Sequence, residues 1–148
     1  MPRFTRVVVI AYLLFNAMIV YSLYFAPQSL DLQYRGEAPI TPTREFLWFS
    51  SGSLHLFLIA ATAATLWMKR ASERRYLIFA NAGFYFWDAL TQWLYWGARV
   101  GLEPKTLHVN AGVSFACGVI LVVAALRDRE SVANESADRP VHGAETGH

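Results

Sequence analysis

The sequence predicts an all-α integral membrane protein: four transmembrane helices in an antiparallel bundle, with both termini in the cytoplasm. Three observations carry this expectation. Hydrophobic residues make up 55% of the 148-residue chain and aromatics 15%, which is too apolar for an ordinary soluble domain of this length. The apolar residues gather into four stretches, 7–25, 45–68, 77–98 and 106–126, each near the roughly 20 residues that cross a bilayer's hydrocarbon core as a helix. The cations are also unevenly shared. Arg3, Arg6, Lys69, Arg70, Arg74, Arg75, Arg127 and Arg129 fall on one side, against Arg35, Arg44, Arg99 and Lys105 on the other. Basic flanks stay in the cytoplasm, so an even number of spans puts both ends inside.

The first stretch follows a short basic start. Its apolar run is long for a signal peptide, and Tyr21 and Tyr24 sit where an interfacial belt would lie rather than a small-residue cleavage site. Pro27 ends it. Residues 28–44 read as a polar loop broken by Gly36, Pro39 and Pro42, after which Thr43 is the expected N-cap and Glu45 complements the helix dipole. The second stretch carries Gly52, Ala60, Ala63 and Ala64, small residues that allow close helix approach. A charged connector, KRASERR, leads to the third stretch, and RVGLEPK to the fourth, where Ser114 and Gly118 form a small-xxx-small pair. Residues 1–127 thus form one transmembrane domain. The polar segment 128–148, with no apolar face to bury, reads as a disordered cytoplasmic tail.

Several function classes are excluded or lose their usual marks. The formal charge of +2 comes with no basic, aromatic-interleaved patch, so nucleic acid is not an expected partner. The single cysteine, Cys117, cannot form an internal disulfide, and neither CxxC nor CxxCH is present to suggest zinc or attached haem. No metal site is expected.

The candidate chemistry lies in the third stretch. Asp88 sits at its centre, where a carboxylate costs on the order of 3 kcal/mol to insert and therefore faces protein or water. Asn81, Tyr85, Asp88 and Gln92 share one helix face. His55 falls at similar depth in the second stretch, so a His55–Asp88 contact is expected, directly or through one water. Such a pair would serve either as a catalytic imidazole–carboxylate couple or as interhelical glue. Ser51 lies one turn from His55. Together with Asn81, Tyr85, Gln92 and Asn110 it is a candidate substrate-binding residue in a polar cleft open to the outside, to which Asn16 could add. His108 is a weaker ligand candidate. Trp48, Trp87, Trp93, Tyr95 and Trp96 read as an interfacial belt, and Cys117 as packing.

The segment DALTQWLYWGARVGLEPKTLHVNAGVSFACGVILVVAALR, with YFAPQSL and TPTREF before it, resembles small four-helix membrane proteins of the BphX-like kind. Those are associated with aromatic degradation and have no settled biochemical role, so the resemblance implies a fold and no site residues. The NAGFYF run of residues 81–86 is similar to the third helix of membrane styrene oxide isomerases, which hold haem through a histidine. The second-helix histidine of that family does not align with His55. Two functional classes stay open: a non-enzymatic accessory or structural subunit handling hydrophobic compounds, and a small enzyme or haem-binding protein acting through His55 and Asp88. The expected location is the inner membrane, as a multi-pass protein. The expected partners are the lipid bilayer, further copies or other membrane subunits, and a hydrophobic small molecule.

Overall fold

A computed structural model describes residues 1–33, 39–96 and 104–137, with side chains at 1–32, 39–94 and 104–128. Within them the chain is all helical. The elements are α1 (Arg3–Phe25), α2 (Pro27–Gln33), α3 (Pro42–Ala64), α4 (Ala71–Thr91) continued by a π-helical turn (Gln92–Trp96), and α5 (Pro104–Ala137). Among the described residues, three helices are long and apolar enough to cross a membrane: Arg3–Phe25, Pro42–Ala64 and Pro104–Asp128.

The third predicted stretch, 77–98, differs from expectation. Its helix starts six residues earlier, within the charged connector, and leaves α-helical register after Thr91; residues 97–98 lie outside the described residues. It is absent from the three apolar helices because α4 carries Arg74, Arg75, Asn81 and Asp88 along with its aromatics.

Local sequence accounts for several boundaries. Thr41, not Thr43, caps α3: its hydroxyl accepts the Arg44 N–H at 3.4 Å, and Pro42 stands at the first helical position, where a missing N–H costs nothing. Pro27 ends α1 as expected and then opens α2, so part of the expected polar loop is helical. The second apolar helix stops at Ala64, short of residue 68, in a turn where the Thr65 hydroxyl donates to the Thr62 carbonyl at 2.6 Å. Helix α5 runs to Ala137, through the first part of the expected disordered tail. A physical reason is Asp128: Arg74 grips it with two hydrogen bonds, both at 3.1 Å. Residues 138–148 of the expected tail lie outside the described residues.

Packing is uneven. Helix α4 lies most extensively against α5, and α1 lies between α3 and α5, whereas α3 and α4 touch only slightly. Two glycines serve as seats for aromatic rings. A Cβ at Gly52 would lie 2.6 Å from the Tyr24 ring, and one at Gly118 would lie 2.8 Å from Phe86. The core gathers Val9 and Tyr12 from α1, Ile78, Ala82 and Tyr85 from α4, and Leu121 and Ala125 from α5. All of these lie in the half of the bundle that holds the N-terminus.

Candidate functional site

The other half of the helix assembly is hollow. A cavity of about 540 Å³ is bounded by the C-terminal part of α1, by α2 at Leu30, by the first turns of α3, by the end of α4 and by the start of α5. Its wall includes Phe15, Met18, Ile19, Phe84 and Val113 as apolar surface. Polar groups converge on it from four helices: Ser22 from α1, Ser51 and His55 from α3, Tyr85, Asp88 and Gln92 from α4 and its π turn, and Asn110 and Ser114 from α5. Six of the seven residues marked in the sequence therefore share one cavity: His55, Asp88, Ser51, Tyr85, Gln92 and Asn110.

Asn81 is the seventh, and it lies below the cavity rather than on its wall. Its side-chain oxygen accepts the Tyr12 hydroxyl at 2.9 Å, and its amide donates to the Leu77 carbonyl at 2.8 Å. One turn further along, the Tyr85 hydroxyl donates to Asn16 Oδ1 at 3.0 Å, while Asn16 donates to the Tyr12 carbonyl at 2.9 Å. The rings of Tyr12 and Tyr85 meet edge to face, 5.6 Å apart. Two Tyr–Asn bridges thus cross between α1 and α4 and close the cavity from beneath. All four side chains are buried. Tyr12 was not among the expected site residues. Its signal is the order Tyr–x₃–Asn in α1 set against Asn–x₃–Tyr in α4.

His55 and Asp88 face the same cavity without a hydrogen bond between them. The His55 Nδ1–H donates to the Ser51 carbonyl at 2.9 Å, and its ring stands edge-on to Phe84. Asp88 Oδ2 accepts from Ser114 Oγ at 2.6 Å and from Gln92 Nε2 at 2.8 Å. The expected direct pairing does not form because matched depth does not fix direction. Helix α3 leans on α1 and touches α4 only slightly, and the His55 ring meets α4 at Phe84, one turn before Asp88.

The donors on the wall are mostly committed. Ser22 Oγ donates to the Met18 carbonyl, Ser51 Oγ to the Leu47 carbonyl, and Trp48 Nε1 to Asp31. The Tyr85, Ser114 and His55 donors are engaged as described above. Asp88 Oδ1 has no hydrogen-bonding partner among the described residues. The π turn that follows Asp88 carries Gln92, whose amide donates to the carboxylate; its Oε1 is buried without a partner among the described residues.

Of the remaining expectations, Trp48 alone among the described side chains joins the cavity wall. His108 is exposed on the first turns of α5. Trp87 and Trp93 are exposed, Trp48 is held by Asp31, and the side chains of Tyr95 and Trp96 lie outside those described. Cys117 packs against the core.

A double-mutant cycle separates the two arrangements of Asp88. Ser114→Ala with Asp88→Asn is expected to show a coupling of about 1 kcal/mol in detergent unfolding. The cycle of His55→Ala with Asp88→Asn is expected to be additive. The reverse ranking would restore the His55–Asp88 pair.

Comparisons with protein-family models, with curated proteins and with solved structures find no match.

Proposed function

We propose that this chain is a four-span protein of the inner membrane, with both termini in the cytoplasm. It acts there as a non-enzymatic accessory subunit that holds a hydrophobic small molecule inside the bundle. The observation that carries the reading is the cavity: a half-open, mainly apolar cleft with a few convergent polar groups, a common form of small-molecule site between helices. Its position, in the half of the bundle away from the N-terminus, opens it toward the outer leaflet under this topology.

The fourth span is supported by the exposed face of α4. Tyr76, Phe79, Trp87, Leu90 and Leu94 are exposed large apolar or aromatic residues at helical spacing, and Val7, Ile10, Leu14, Met18 and Tyr21 form the matching stripe on α1. An antiparallel order is supported by the partners themselves. Early α4 meets late α5 at Arg74–Asp128, and late α4 meets early α5 at Asp88–Ser114. Tyr12 reaches Asn81 and Asn16 reaches Tyr85 in the same direction along both helices, as first and third members of an up-down series would.

Holding is favoured over reaction because the imidazole and the carboxylate do not form a couple in which one activates the other. The BphX-like resemblance, extended to function, would place such a subunit beside enzymes that handle aromatic compounds, as a homo-oligomer or within a larger membrane complex.

The test has two parts. Reporter fusions at residue 127 and within 28–44 are expected to report cytoplasm and periplasm respectively; a periplasmic signal at residue 127 would overturn the topology. Solvent extraction and mass spectrometry of the purified protein are expected to recover a hydrophobic small molecule that a cavity-filling Val113→Trp variant lacks. A Soret band would instead favour a haem protein through His55.

A further inference from the structure

We infer that the molecule held in the cavity is a lipophilic amine in its ammonium form, with Asp88 as the residue that binds its charge. The inference rests on the cavity reading above and adds the chemical class of the occupant.

Three features carry it. Among the described residues, Asp88 is the one acidic side chain on the wall, and no Lys or Arg lines the cavity. Arg44, at the start of α3, is taken up by Asp31, to which its Nε pairs at 2.8 Å. Ser114 and Gln92 give the carboxylate two neutral hydrogen bonds, both on Oδ2, and leave Oδ1 for another donor.

The second feature is the direction of hydrogen bonding. The wall's hydroxyls and ring N–H groups already donate to backbone carbonyls or to side-chain oxygens. Asp88 Oδ1 and Gln92 Oε1 are left as acceptors with no donor on them among the described residues. A ketone, ester or carboxylate would add further acceptors, whereas an ammonium brings three N–H donors and a compensating charge. The third feature is the aromatic lining. Phe15, Trp48, Phe84 and Tyr85 border the same space, and ring faces attract a partly desolvated cation.

The test uses the full chain in dodecyl maltoside, with 4-phenylbutylamine and the neutral 4-phenylbutan-1-ol as probes. Binding is read by isothermal titration calorimetry against a micelle blank. The amine is expected to bind about tenfold more tightly than the alcohol, the range of a charge-assisted hydrogen bond. Asp88→Asn is expected to abolish that preference while leaving the alcohol's affinity in place, and Asp88→Glu to retain it. Equal binding of the two probes to the unaltered protein would overturn the ammonium assignment and leave the cavity reading standing. So would a preference that persists in Asp88→Asn. If neither probe binds, both readings fall. Should Asp88→Asn fail to fold, the amine-over-alcohol ratio of the unaltered protein decides.

Discussion

Replacing Arg74 by alanine is expected to cost about 3–5 kcal/mol of stability, because it strands a buried carboxylate. Arg74 and Asp128 are 5% and 0% exposed at their side chains, and their two bonds join the start of α4 to the far part of α5. The same guanidinium donates to the Met68 and Lys69 carbonyls at 2.6 and 3.0 Å, closing off the end of the turn that follows α3. One side chain therefore ties three segments together. Asp128→Ala should be comparably damaging. Arg74→Met combined with Asp128→Leu should cost much less than the two single losses added together, since no charge is then left unpaired. Unfolding of the purified protein by a denaturing detergent gives the measurement. An Arg74→Ala variant as stable as the parent would show that water reaches this pair.

Asn16→Leu is expected to destabilise by about 1–3 kcal/mol, the cost of leaving a buried hydroxyl without its acceptor. Asn16 is fully buried and its Oδ1 is the acceptor of the Tyr85 hydroxyl. Tyr85→Phe in that background should recover part of the loss, because the orphaned hydroxyl is removed along with its partner. Equal stability of Asn16→Leu with and without Tyr85→Phe would mean that the bridge contributes nothing to holding α1 against α4.

Much of the helical order could be read from the chain, because apolar runs of about 20 residues leave few alternatives. The i, i+4 arithmetic that put Tyr85, Asp88 and Gln92 on one face also located them on one cavity wall. Depth was legible too, since His55 and Asp88 lie on the same space. Azimuth was not. Nothing local says that α3 leans on α1, so the two side chains could not be known to miss each other. Asn81 was assigned to the cleft by its helix face, yet Tyr12, arriving from α1, covers it. Asp128 looked like one charge among many in a polar segment. Its role depends on a partner 54 residues away, which no periodicity reveals. Thr43 and Thr41 are both good caps by residue type, and Pro42 decides between them because it fits the first helical position.

The layer of Tyr12, Asn16, Asn81 and Tyr85 makes the hollow half of the bundle a cul-de-sac. Beneath it Val9, Ile78, Ala82, Leu121 and Ala125 are packed with no more than 1% exposure, so a guest that enters has no way through and must depart by the mouth it used. Carriage across the bilayer would require α1 and α4 to break two hydrogen bonds and part their rings, then re-form both behind the cargo. Traffic of that kind would be slow and coupled to rearrangement of the core. Under the function proposed above, such a receptacle would fill and empty through one mouth. In reconstituted vesicles, ionic conductance through a single copy should be nil.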